Sequence, residues 1–314
     1  MADPPTVSIV VPTFARPAQL QRCLDGIARL EAAAFSFEVV VVDDGGPEPL
    51  DTLIASYADR LDVRLIRQSR AGPAAARNAG VVLARGRFLA FIDDDCTPAT
   101  GWLSAFVREL TRGERRLLGG RVENALTDNP YSTASEHISQ FVYEYNRTGG
   151  ALEPYFTTNN IALAADLFRA VGGFGTSIPS ATAEDKEFCD RWRAHGLALA
   201  HTPSAVVHHA HDLTFGRFFR QHFNYGRGIL AFRVIRRRRA DSAFLPEPVK
   251  FYTGLVLSPI RRTSSVGRWR LVALLIAAQL ATLAGALREA LTWPRPARAS
   301  DTPRRLSGID QIRR

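Results

Sequence analysis

Lysine is almost missing from this chain. Of its 40 basic residues only Lys186 and Lys250 are lysines, so the formal charge of +9 over 314 residues rests on arginine, which stays charged at any physiological pH and grips phosphate or carboxylate with a planar fork. Cysteine is scarce too. Cys23, Cys96 and Cys189 stand far apart, which excludes a disulfide scaffold, a C-x-x-C redox motif and a cysteine zinc site. The opening Met-Ala-Asp-Pro-Pro has neither the basic start nor the apolar stretch of a secretory signal, so a reduced, cytoplasmic setting is expected. With 46% hydrophobic and 23% charged residues, a disordered or collagenous chain is excluded. The length suits two domains, or one large domain with an appendage.

The charge is unevenly placed. Residues 1–213 carry 20 basic against 26 acidic groups, whereas residues 214–314 carry 20 against 5. An acidic body is thus joined to a basic C-terminal third, and charge alone leaves nucleic acid, anionic lipid and an anionic substrate open as partners.

Through the first half, short β-branched runs alternate with helical patterns, as in βαβ units around a mostly parallel sheet. Val7 to Val11, Val39 to Val42, Val63 to Ile66 and Phe88 to Ile92 read as strands. Leu20, Leu24 and Ile27 share one helix face, and a further helix is expected from Pro73 to near Gly86. In such sheets ligands bind beyond the carboxyl ends of the strands. There the chain places Pro12-Thr13-Phe14, then Asp43-Asp44-Gly45, then Asp93-Asp94-Asp95. Gathered carboxylates repel one another unless a cation or donor groups satisfy them, and a divalent metal bridging a diphosphate is one solution. The plainer alternative is that these aspartates cap helices and end strands.

Val7-Ser8-Ile9-Val10-Val11-Pro12-Thr13-Phe14, Val41-Val42-Asp43-Asp44-Gly45, Gly72-Pro73 through Arg77-Asn78-Ala79-Gly80, and Phe91-Ile92-Asp93-Asp94-Asp95 resemble, in words and order, the family 2 glycosyltransferases of the GT-A fold. The resemblance continues through Thr158-Asn159-Asn160, Gly172-Gly173-Phe174 and Glu184-Asp185 to about Gly228. It implies a Rossmann-like, mostly parallel sheet flanked by helices; the basic, apolar C-terminal region beyond it is expected as a helical appendage. The expected division is a nucleotide-sugar-binding half at 1–118, an acceptor and catalytic-base half at 119–230, and the basic region at 231–314.

By this resemblance Pro12, Thr13, Phe14 and Asp44 cradle the base and ribose of a nucleoside-diphosphate sugar. Asp43 also reads as a turn residue. Mg²⁺ or Mn²⁺ on the donor diphosphate falls to Asp93 and Asp95, which strand alternation puts on one side, with Asp94 facing the ribose. Arg77 and Asn78 reach the diphosphate or pin a metal-site aspartate, although a solvated helix arginine is the alternative. Asp185 matches the catalytic base, assisted by Glu184, and two acids in a first turn also favour a helix on their own. Asn160 belongs to the wall of the sugar pocket. In His208-His209-Ala210-His211 the resemblance selects His209 near the metal, then His211, while a plain strand-end cluster is the alternative. Arg220 and Arg227 become possible phosphate contacts. The Gln-x-x-Arg-Trp motif of processive members is absent, which implies transfer of a single sugar.

In the basic third, one long apolar run, Leu271 to Leu287, has 17 residues without a charged side chain, against about 20 usual for a membrane span. Trp269 and Trp293 bracket it, with Arg261, Arg262, Arg268 and Arg270 before it and Arg288, Arg295 and Arg298 after it. A membrane-associated helix fits this pattern, and a helix buried against the body is the alternative. The expectation is therefore a metal-dependent, inverting hexosyl transferase at the cytoplasmic face of a membrane, with a glycan or lipid-linked acceptor and no nucleic acid. The rival is a noncatalytic membrane- or nucleic-acid-binding protein, which leaves the clustered acids without a purpose.

Overall fold

The computed structural model describes residues 4–147, 155–176, 178, 182–240, 247–261 and 265–292. Met1 to Asp3, and Arg262, Trp293, Arg295 and Arg298 of the pattern flanking the apolar run, lie outside the described residues.

The chain order is β1 (Val7–Thr13), α1 (Pro17–Ile27), β2 (Phe37–Asp43), α2 (Asp51–Ala55), β3 (Val63–Arg67), α3 (Pro73–Leu83), β4 (Phe88–Ile92), β5 (Cys96–Pro98) and α4 (Trp102–Arg112). It continues with β6 (Arg116–Asn124), α5 (Pro130–Arg147), β7 (Asn160–Ala164), α6 (Ala165–Val171), α7 (Glu184–Ala194), β8 (Ala198–His209), α8 (Phe215–Ala240), α9 (Val249–Leu257) and α10 (Ser265–Thr292). The strands form one sheet in the order β3-β2-β1-β4-β7-β6-β8-β5. β1, β2, β3 and β4 pair in parallel, as do β6 and β8, whereas β7 runs antiparallel to β4 and β6, and β5 to β8. The expected division at 118/119 falls inside β6, and ladder hydrogen bonds join β4 to β7 across it. Two halves that share one sheet cannot each close a core, so the body is a single unit.

β1 and β2 read as almost unbroken apolar runs because helices cover both faces. Each fully buried valine among Val39 to Val42 contributes about 1.5–3 kcal/mol. Gly80 lets α3 touch the sheet: a Cβ there would lie 2.5 Å from Val10 Cγ1. The buried Glu38, at the start of β2, accepts hydrogen bonds from Ser8 Oγ (2.6 Å), Arg85 N (2.7 Å) and Arg64 Nη2 (2.6 Å), so its charge is fully paired. It lies at the opposite end of the strands from the aspartate clusters.

At the carboxyl end, Phe174 packs on Phe91 (5.2 Å between ring centres), Phe168 (5.1 Å) and Phe188 (4.7 Å). These rings tie the first turns of α7 to the end of β4. The C-terminal region is helical. α8 and α10 lie so close that a Cβ added at Gly226 or Gly285 would run into the backbone of Thr282 or Phe223. The run 271–287 is the middle of α10, whose inner face packs on α5 and α8.

Candidate active site

The loop after β1 turns through Ala15, which takes φ 54°, the one positive value among the described non-glycine residues. Arg16 then precedes the proline-started α1. At the end of β2, Asp43 accepts the Gly46 N–H (2.8 Å), the turn role open to it from the sequence. Asp44 is buried and accepts from Gln68 Nε2 (2.7 Å), Ala71 N (2.8 Å) and Gly72 N (2.8 Å). Gly72 makes this clasp at φ 91°, where a side chain would be strained. Asp44 thereby holds the approach to α3 against the loop carrying Thr13 and Phe14. Arg70, not singled out by sequence, stacks on the Phe14 ring at 4.2 Å.

The three aspartates after β4 do not alternate as a strand would. The chain turns there, with Cys96 N bonded to Asp93 O (3.0 Å), so the three side chains part. Asp93 pairs with Arg77 Nη2 at 2.6 Å, apart from the Asp95–His209 pair with which it was expected to share a metal. Asp94 is buried, accepts from Thr13 Oγ1 (2.7 Å) and pairs with Arg16 (3.3 Å). Burial pushes its carboxyl up to about 6, the Asp95 charge adds to this, and Arg16 and Thr13 oppose it. Asp95 meets His209 Nε2 at 3.3 Å and Arg16 at 3.1 Å. Burial works against its charge, yet the hydrogen bond and charge of His209, with Arg16, hold it at about 2.

His209 arrives there through sheet register. β5 pairs with β8 so that Cys96 faces His209, and Ala210 N bonds Asp95 O at 2.8 Å. Alternation turns His208 the other way, toward Glu123 (3.5 Å). His211 lies beside His209, with ring centres 5.1 Å apart. Ligand atoms of Asp95, Cys96 and His209 lie within 4.8 Å of one another. One carboxylate and one imidazole suit Mn²⁺ or a similar divalent ion that keeps open positions for phosphate oxygens. The residues therefore fit a donor-bound metal centred on Asp95 and His209.

Arg77 is buried and bridges two parts of the site, giving Nη2 to Asp93 and Nη1 to Glu184 (3.2 Å). It is no solvated helix arginine. Burial raises the Glu184 carboxyl to about 7, helped by the neighbouring Asp185 and opposed by Arg77. Asp185 is raised as well, by burial, against the adjacent Lys186. Asp185 accepts the Lys186 N–H (2.7 Å) while Lys186 Nζ sits over the Tyr155 ring at 4.7 Å.

Apart from Asp43 and Glu123, these acids line one cleft of about 1020 Å³ together with Arg16, Arg77 and His209. At one end are Pro12, Thr13, Phe14 and Asp44, in the middle Arg77, the three aspartates and His209, and beyond them Glu184 and Asp185. Tyr143 of α5 and Tyr155, which no sequence signal picked out, also line the cleft, as do Gln221 and Tyr225 of α8, from the segment 217–228. Three expected ligands lie elsewhere. Asn78 is paired twice with the Phe174 backbone (2.8 and 2.9 Å) and holds the aromatic cluster. Asn160 sits inside β7, donating to Arg121 O (2.9 Å) and Ala205 O (3.0 Å) and accepting from Trp102 Nε1 (2.8 Å). Arg227 pairs with Glu289 of α10 at 2.8 Å, away from the cleft. Arg220 is exposed and does not line the cleft either.

Comparison with known proteins agrees with this geometry. The family model described as glycosyl transferase family 2 matches residues 8–172. Glycosyltransferase AglE of Haloferax volcanii is 26% identical over 294 residues, covering 89% of this chain and 93% of that protein. Validoxylamine A glucosyltransferase of Streptomyces hygroscopicus is 30% identical over 223 residues, 62% of this chain, and the match spans about half (53%) of that relative. A mannosyltransferase from Pyrobaculum calidifontis, solved with GDP-Man and Mn²⁺, superposes over 90% of this chain and 88% of its own with a TM-score of 0.63 at 18% identity, a likeness of fold. The matched stretch contains both aspartate clusters and Arg77, and the chain belongs to glycosyl transferase family 2, as a glycosyltransferase of the GT-A fold.

Proposed function

We propose that the protein is a metal-dependent, inverting transferase that moves one hexosyl unit from a nucleoside-diphosphate sugar to the hydroxyl of a cell-envelope or lipid-linked glycan acceptor, at the cytoplasmic face of a membrane. The observation that carries this reading is the convergence of Asp95 and His209 with Asp185 on one cleft. Thr13, Phe14 and Asp44 receive the nucleoside end, where a pyrimidine or purine N–H finds acceptors and the Phe14 ring a stacking partner. Asp95 and His209 would hold Mn²⁺ or Mg²⁺, which when bound offsets the charge that grows on the departing diphosphate. Asp185 takes the acceptor proton as the hydroxyl oxygen bonds to the sugar carbon and the bond from that carbon to phosphate breaks. A single displacement from the side opposite the phosphate inverts the sugar carbon. A carboxylate raised toward neutrality by burial suits that proton transfer. Glu184, tied to Arg77, keeps the turn in place.

The test is thermal shift and donor hydrolysis with a panel of nucleotide sugars, with Mn²⁺ or Mg²⁺ and then with chelator. Stabilisation by one donor class that chelator removes is expected. No metal-dependent binding of any donor overturns the proposal.

A further inference from the structure

The C-terminal helices turn their acids inward and part of their hydrophobic surface outward. Glu247 and Glu289 are the only acids among the described residues of 215–292. Glu289 pairs with Arg227 and Glu247 with Arg233, with side chains 5% and 8% exposed. Arg217, Arg220, Arg237, Lys250, Arg270 and Arg288 of the same helices are exposed. The described surface of these helices is therefore cationic, with no exposed carboxylate.

α10 buries Leu275, Ala278 and Ala281 against the body. Its other face exposes Trp269, Ile276, Leu280, Leu283, Leu287 and Leu291, each by 45% or more. From Ile276 on, spacings of three and four residues align them in one stripe, which from Trp269 to Leu291 is ~33 Å long at 1.5 Å per residue. α9, which touches α10, adds exposed Val249, Tyr252 and Leu257. α10 is long and apolar enough to cross a bilayer, with a mean hydropathy of 1.8 over its most apolar window. Its inner face is nonetheless engaged with α5 and α8 and carries the buried Glu289, which a spanning position would tear from Arg227. Covering the stripe with a second copy would bring arginine-flanked ends together, an arrangement that like charges disfavour.

We propose that α10 docks flat on an anionic lipid bilayer. The Trp269 to Leu291 stripe enters the boundary between headgroups and acyl chains, and the flanking arginines meet lipid phosphates. Docking also places the cleft close to the lipid, because α8 lines the cleft with Gln221 and Tyr225 while Phe223 packs toward α10. The inference rests on the membrane placement in that reading and sharpens it, and it is tested apart from the transfer chemistry, since vesicle binding needs no donor.

The test mixes the full chain with vesicles of phosphatidylcholine containing phosphatidylglycerol, or of phosphatidylcholine alone, and follows flotation and tryptophan emission. Binding to the anionic vesicles is expected, weakened at least about tenfold by high salt and by the pair Leu280→Glu with Leu287→Glu. A blue shift on binding should shrink in Trp269→Phe. Donor hydrolysis in solution, read on the same samples, should be unchanged by these variants, so its failure is separate from failure of docking. The wild-type vesicle comparison and the Trp269 signal stand even if the double variant folds poorly. The proposal is overturned by absent or lipid-indifferent binding, by a wild-type dimer that the double variant dissolves, or by salt-resistant insertion that shields α10 on both sides.

Discussion

The cleft and the C-terminal helices handle charge in opposite ways. In the cleft, Asp93, Asp94, Asp95, Glu184 and Asp185 are drawn together at the ends of strands and the start of a helix, and two arginines hold four of them, Arg16 with Asp94 and Asp95, Arg77 with Asp93 and Glu184. In the C-terminal helices, two acids are hidden in ion pairs and the arginines are left outside. Crowded carboxylates cost free energy through repulsion and desolvation, which is seen in the raised carboxyls of Asp94 and Glu184. Such a cost persists where the groups do chemistry. In the helices the two acids stand apart, each with its own arginine, and no neighbouring carboxylate adds to the cost of burying it. Crowding that arginines only partly offset marks the working site, and isolated ion pairs mark the structural one.

The sharpest way to break this comparison is Asp185→Asn. It should lower sugar transfer about 10³-fold, within the range for a general base, with donor affinity kept, read by product formation and calorimetric titration. A wild-type rate would remove Asp185 as the base. Asp95→Ala comes next, weakening metal-dependent donor binding by at least about tenfold and lowering the effect of Mn²⁺ on donor-induced thermal shift.

The third expectation is a pH profile. The base must be ionised, so kcat/KM should fall about tenfold per unit as pH drops below the titration of Asp185, which burial raises above the ordinary carboxylate range. Glu184 lies above its ordinary value of 4.5, so the folded state holds this proton more tightly than the unfolded chain. Its contribution to stability therefore falls as pH rises from about 4.5 through 7, which urea unfolding across that window measures.

On the helical side, Arg227→Ala should leave Glu289 buried without its partner and cost about 1–3 kcal/mol of stability. Donor affinity should stay unchanged, as expected of a packing residue. A lost donor affinity with unchanged stability would return Arg227 to the cleft. Arg220→Ala, at an exposed position, should shift stability by less than about 0.5 kcal/mol and leave donor affinity as it was.

Much of the front of the molecule was legible from the sequence. The strands Val39 to Val42 and Phe88 to Ile92 lie within the observed β2 and β4, because buried parallel strands must be apolar throughout. Phe14, Asp44, Asp95, Asp185 and His209 all line the cleft. Tyr143 and Tyr155 escaped notice, since nothing local distinguishes a cleft-facing tyrosine from one elsewhere on the surface. Asn78, Asn160 and Arg227 were misplaced for the same reason. Their residue type suits a ligand, but their hydrogen bonds go to Phe174, Arg121, Ala205, Trp102 and Glu289.

Local pattern by itself determined the alternation of strands and helices, the two aspartate clusters after strands, and the division into acidic body and basic third. These depend on side-chain period and on neighbours within a few residues. Only the tertiary structure decided that the turn after Ile92 gives Asp93 to Arg77 and Asp95 to His209, and that α10 buries one face and exposes the other. Each of these outcomes is set by partners far away in the chain: Asp95 and His209 meet through an antiparallel register, and α10 meets α8 across two glycines.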